Sequence, residues 1–185
     1  MTVRPIRLIG DPVLRTACDP VTRFDDALAR LVTDLLDTVQ EPGRAGLAAN
    51  QIGVTLAAFV YNVDGKLGYV INPVLAGSTG PADPVDPVDP VDPAGSAGSA
   101  GERDGPEACL SVPGISAIRR RATRAVVTGV DLRGDPVTVS GGGELARCLQ
   151  HEADHLRGEL YIDRLADEER AAVMRRLRQQ ITVPR

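Results

Sequence analysis

The chain has 185 residues, 43% of them hydrophobic, enough for one domain with a core and too apolar for wholesale disorder. With 21 basic and 25 acidic residues, a net charge of −4, two Phe, three Tyr and no Trp, it offers neither a basic field nor a base-stacking platform, which excludes a DNA-binding role. Three cysteines (Cys18, Cys109, Cys148) make no disulfide framework, no segment reaches the ~18–20 apolar residues of a membrane helix, and the first residues read as no signal peptide; the expectation is a cytoplasmic chain.

In chain order, the first predicted element is a helix over 25–41. Leu28, Leu31, Val32, Leu35, Leu36 and Val39 fall on one stripe, with Asp25 or Asp26 as cap and Pro42-Gly43 as stop. VTLAAFVY (54–61) and LGYVINPV (67–74) read as strands about a turn at Asp64-Gly65. Residues 77–105 are low-complexity. Asp-Pro-Val repeats are followed by Ala-Gly-Ser repeats, with six acidic residues against Arg103. This composition reads as a disordered loop insertion within one domain spanning 1–185. RAVVTGVDL (124–132) and DPVTVS (135–140) suggest a hairpin about Arg133-Gly134. A helix follows over 144–157, with Gly158 as its stop. ELYI (159–162) reads as a short strand. A terminal helix covers 167–180, acidic at its start and arginine-rich at its end. Strands on both sides of a central helix imply an α+β fold.

The two histidines of the chain both lie in His151-Glu152-Ala153-Asp154-His155. On a helix, positions i and i+4 stack on one face, so two imidazoles can converge on a metal ion and Glu152 can reach a water there as general base. A catalytic site needs a third protein ligand. Downstream, Glu159 lies too far along the same helix line, while spacing leaves Asp163, Glu168 and Glu169 open. Among the cysteines, Cys148 sits ~7 Å along the axis from the midpoint of the pair and reads as a buried small side chain. Cys18 has no evident role. Cys109, in Glu107-Ala108-Cys109-Leu110-Ser111-Val112-Pro113-Gly114, is the best third ligand. Gly46-Leu47-Ala48-Ala49-Asn50-Gln51-Ile52-Gly53 is small and glycine-flanked, which suits close approach of a substrate backbone. Gln51 there could donate to a developing oxyanion, though a tight turn explains the segment about as well.

GLAANQIG, EACLSVPG and QHEADHLRG, in this order, resemble the three signature motifs of the peptide deformylases, and IRLIGDPVLRTACDPV (6–21) resembles their N-terminal region. The resemblance covers nearly the whole chain outside 77–105. It implies an α+β fold with a central HExxH helix surrounded by antiparallel sheets, flanked by N- and C-terminal helices. It implies a bacterial metal-dependent hydrolase of protein biosynthesis that removes the formyl group from N-formylmethionyl nascent peptides, releasing formate. Cys109, His151 and His155 would bind one divalent ion, Fe²⁺ natively, with Zn²⁺, Ni²⁺ or Co²⁺ as substitutes. Glu152 would move the protons, Gln51 and the Leu110 N–H would stabilise the oxyanion, and Gly46 would meet the substrate backbone. A mostly apolar pocket for the methionine side chain is expected. Arg175, Arg176 and Arg178 of the terminal helix would meet the ribosome. The chain departs from the family pattern at Arg44 and Ala108, where glycines are usual, and at Ser116, where an arginine is common. The alternatives are another metal-dependent amidohydrolase or peptidase, and a non-catalytic homologue on the ribosome.

Overall fold

A computed structural model describes residues 2–76 and 101–182. The predicted insertion lies outside the described residues over 77–100. Residues 102–105, included in that prediction, instead begin a strand.

Three helices carry the helical periodicity of the sequence: α1 (Asp26–Val39), α2 (Gly143–Leu156) and α3 (Asp167–Thr182). Asp25 caps α1, accepting from the backbone N–H groups of Ala27 and Leu28 at 3.0 and 3.2 Å, which satisfies two otherwise unpaired donors. The strands are β1 (Gly46–Ala48), β2 (Ala58–Val63), β3 (Lys66–Ala76), β4 (Glu102–Cys109), β5 (Val112–Ala122), β6 (Arg124–Val130) and β7 (Pro136–Gly142). Five of them form one antiparallel sheet in the order β1-β2-β3-β6-β7, and β4-β5 form a separate hairpin. Asp64 and Gly65, at φ 50° and 76°, make the tight two-residue turn between β2 and β3, the geometry that right-twisted strands favour.

The five-stranded sheet has a helix on each face, α1 over β1–β3 and α2 across the other side, and the period of two along each strand sorts its side chains between two cores. Leu47, Ala58, Val60 and Ile71 face α1, joining Leu28, Leu31, Val32, Leu35 and Val39. Ala48, Phe59, Val63, Val70, Ala125 and Val127 face α2, joining Leu145, Ala146, Cys148 and Leu149. A third cluster sets Cys109, Val112 and Ile115 of the hairpin against Leu160, Tyr161 and Ile162, with Val173 and Leu177 of α3 over them. The fold is the expected α+β arrangement: a central helix carrying both histidines, sheets around it, and a helix towards each end.

One expectation is corrected. Residues 159–162 form no strand; Tyr161–Arg164 is a 3-10 turn. Asp163 accepts from the Leu160 backbone N–H at 2.8 Å, closing the chain into a turn. The strand expected over 67–74 is present as β3, with a bulge at Asn72-Pro73. Its register shifts between Ile71 and Val74, and Asn72 takes φ 51°. The Asn72 side chain clamps the Val21 backbone, accepting from its N–H at 2.7 Å and donating to its carbonyl at 2.9 Å.

Leu35 is fully buried between α1 and the sheet. Leu35→Ala is expected to lower unfolding stability by about 2–5 kcal/mol, read from the urea midpoint. A loss below about 1 kcal/mol would mean that α1 packs loosely.

Candidate metal centre

α2 runs under the five-stranded sheet and carries His151 and His155 one turn apart. Their Nε2 atoms lie 3.2 Å apart. β4 ends at Cys109, whose Sγ is 3.2 Å from His155 Nε2. The three donor atoms lie within 4.8 Å of one another. Bonds of ~2.0–2.3 Å in a tetrahedral site place ligand atoms about 3.3–3.6 Å apart, so this donor set fits a single divalent ion. The downstream carboxylates, Glu159 and the three left open by spacing, are elsewhere. Asp163 pairs with Arg15, Glu159 bonds Arg164 at 3.0 Å, and Glu168 and Glu169 are exposed.

The surroundings orient the donors. Glu107 Oε1 is 2.8 Å from His151 Nδ1. Burial would raise the Glu107 carboxyl, but hydrogen bonds from Arg121 and then His151 outweigh it and hold the group at about 2. As an ionised carboxylate it only accepts, so His151 Nδ1 carries a proton and donates to it, which fixes the ring with Nε2 on the side of His155. Asn50 donates to the His155 carbonyl. Burial, then the charge of His151, lowers the His155 imidazole well below its usual value and keeps it neutral.

Glu152 lies in the same turn of α2. It is buried, and its Oε2 has no hydrogen-bond partner among the described residues. Burial pushes its carboxyl up to about 7. A Cβ at Gly46 would collide with Glu152 Oε1 and lie 2.7 Å from the Cys148 sulfur, so the glycine makes room for the carboxylate. Cys148 is buried and donates to the Ala45 carbonyl at 3.2 Å, with burial raising its thiol. It is the small buried side chain expected, apart from the donor set. Gln51, also buried, accepts from the Ala48 N–H at 2.9 Å. Its Nε2 donates to Ser111 Oγ at 3.2 Å and approaches Cys109 Sγ at 3.6 Å. Leu110 occupies the turn between β4 and β5. Gly46, Gln51, Cys109, Leu110, His151 and Glu152 together line a cleft of about 650 Å³. Ala45, Pro106, Pro113 and Cys148 supply apolar wall, and Arg44, Glu144 and Arg147 also line it.

Sequence reasoning missed the buried charges behind the donors. Arg121 is 5% exposed. It donates to both Glu107 oxygens at 2.9 and 2.6 Å and to Asp154 at 2.6 Å. One guanidinium thereby joins β4, β5 and α2. A strand signal existed: Glu107 precedes Cys109 by two residues and so shares its face. Arg121 stood among three consecutive arginines, which a solvated strand explains equally well.

The sequence model of the polypeptide deformylase family matches residues 3–171. A peptide deformylase of Acidothermus cellulolyticus is 48% identical over 97% of this chain and 88% of its own length. Peptide deformylase 2 of Streptomyces coelicolor is 42% identical over 95% of this chain and 89% of its own. Among solved structures, a peptide deformylase from Legionella pneumophila superposes with a TM-score of 0.79 at 34% identity, covering 99% of this chain and 100% of that one.

Removing one partner of a buried ion pair leaves charge stranded. Arg121→Met is expected to cost about 3–5 kcal/mol at neutral pH, measured by chemical denaturation. The depressed Glu107 carboxyl contributes stability above its unfolded value of 4.5, and this is lost as pH falls towards 2. The penalty of Arg121→Met should therefore shrink over that window; a loss that is flat with pH would contradict the ion-pair account.

Proposed function

Since the chain belongs to the polypeptide deformylase family, we propose that Cys109, His151 and His155 hold its one divalent ion and that Glu152 moves the protons of its reaction. The reaction is the family's: hydrolysis of the N-formyl group of nascent-chain formylmethionine, giving formate and a free amino terminus. The observation that carries the residue assignment is the convergence of three donor atoms beside a buried carboxylate on a cleft.

One thiolate with two imidazoles suits Fe²⁺ and also Zn²⁺, Ni²⁺ or Co²⁺, and we take Fe²⁺ as the native ion. When bound, such an ion supplies Lewis-acid chemistry, polarising the formyl carbonyl and acidifying water. The Glu152 carboxyl, held at about 7, takes a proton from the attacking water and returns one to the departing amine. The Gln51 amide, fixed through its oxygen by Ala48, turns its N–H towards the donor cluster and stabilises the developing oxyanion with the Leu110 backbone N–H. Gly46 keeps the adjacent wall open to the substrate backbone and to Glu152. The whole chain acts as one catalytic domain, with the low-complexity segment 77–100 inserted in it. It works in the cytoplasm, and no helix among the described residues is long and apolar enough to cross a membrane. Arg175, Arg176 and Arg178 on α3 give a phosphate-binding face for ribosomal contact. A non-catalytic homologue would have no use for a buried proton carrier.

The test is formate release from formyl-Met-Ala-Ser by Fe²⁺-loaded protein. Glu152→Gln should lower the rate by about 10²–10⁴-fold while one equivalent of metal stays bound. Loss of the metal with the rate would make Glu152 a ligand, and no release by the wild-type protein would overturn the reading.

A further inference from the structure

The two oxyanion donors of the proposed reaction come from segments that share no strand pairing. Gln51 sits in the 3-10 turn Ala49–Ile52, which follows β1 of the five-stranded sheet. Leu110 sits in the turn of the separate β4-β5 hairpin. Two N–H groups stabilise one developing charge only while their spacing is held, and a misplacement of about 1 Å can cost about 10²-fold in rate. The bond from Gln51 Nε2 to Ser111 Oγ, at 3.2 Å, joins the two segments. It occupies one N–H of the very amide that the reaction uses.

The N-terminal segment makes a second link, through backbone alone. The Arg7 N–H donates to the Gln51 carbonyl at 2.7 Å, and the Ile9 N–H donates to the Ser111 carbonyl at 2.8 Å. Leu8 between them is exposed, and its N–H makes no backbone bond among the described residues. The segment is anchored on both sides, since Ile6 packs against the α1 core and Ile9 against the hairpin core. The Arg7 side chain adds to this. Gly53 ends the Gln51 turn at φ 90°, and a Cβ there would stand 2.9 Å from Arg7 Nε, so the guanidinium lies directly over the turn. Neither Arg7 nor Ile9 lines the cleft. Whatever they contribute to the reaction passes through the two turns that they hold.

We propose that residues 7–9 form a positioning strap for the reaction: the Arg7 and Ile9 N–H groups hold the Gln51 turn and the hairpin turn at the spacing that the two oxyanion donors need. The proposal rests on the deformylase reading and adds two positioning residues to it.

A backbone ester replaces one N–H by oxygen and leaves every side chain in place. Cys18 makes this possible in the full chain, because a synthetic segment 1–17 can be joined to 18–185 at its thiol and the product folded. Chains with an ester at residue 7, 8 or 9, and an unmodified chain joined in the same way, are loaded with Fe²⁺ and assayed with formyl-Met-Ala-Ser. The esters at 7 and 9 should each lower kcat about tenfold, less than the loss of an oxyanion donor itself, with KM unchanged and one equivalent of metal bound. The ester at 8 should behave as the unmodified chain. In a Gln51→Ala background the ester at 7 should lose its effect on kcat while the ester at 9 keeps its own, a coupling that general destabilisation does not produce. An unchanged kcat with the esters at 7 and 9, a loss at 7 that is equal with and without the Gln51 side chain, or a loss that merely follows the metal content would overturn the strap. Formate release by the unmodified chain separates the two levels. Its absence would overturn the deformylase reading, and with it this proposal; its presence without any response to the esters would overturn the strap alone.

Discussion

A single guanidinium, buried where β4, β5 and α2 meet, sets the distance on which the candidate centre depends. Arg121 neutralises Glu107 from the hairpin and Asp154 from the helix, and Glu107 in turn holds the His151 ring. Cys109 is two residues beyond Glu107 on the same strand, so the ion pairs fix the thiol against the imidazoles. Burying these charges is costly unless every partner is present. That cost makes the arrangement specific: a hairpin shifted by one residue would turn Glu107 to solvent and strip Arg121 of its two-pronged carboxylate partner.

The rest of the architecture supplies rigidity. A sheet covered on both faces leaves α2 little freedom, because Leu145, Ala146 and Leu149 pack against strands that α1 holds from the other side. The helix that carries two donors and Glu152 is therefore part of the core. Gly46 belongs to the same logic. β1 can lie beside Glu152 only because that position has no side chain, and the contact that raises the Glu152 carboxyl is burial made possible by a glycine.

Local signals made much of this legible in the sequence. The α1 stripe, the Asp64-Gly65 turn, the β6–β7 hairpin and α2 all follow from periodicity and turn chemistry that a short window contains. The His151–His155 pair was legible for the same reason. What escaped depended on contacts distant in sequence. β1 is three residues long, too short for a period. β4 and β5 carry arginines, acids, glycine and proline, and their pairing is visible only when each finds the other. Spacing alone left several carboxylates open as third ligand, since Cys109 and His155 are 46 residues apart. Arg121 looked like one of three solvated arginines, because nothing local marks the one that turns inwards. The 3-10 turn at 161–164 forms where a strand was expected because Asp163 captures a backbone N–H, an option that hydrophobic patterning does not weigh.

The central claim is that Cys109, His151 and His155 close around one ion. Its most direct test is the electronic absorption spectrum of the Co²⁺-substituted protein beside Cys109→Ser. The account predicts intense d–d bands of a four-coordinate ion with a thiolate-to-cobalt charge-transfer band, the latter lost in Cys109→Ser and retained in Cys148→Ser. Weak six-coordinate bands without charge transfer, or a charge-transfer band that survives Cys109→Ser, would contradict it.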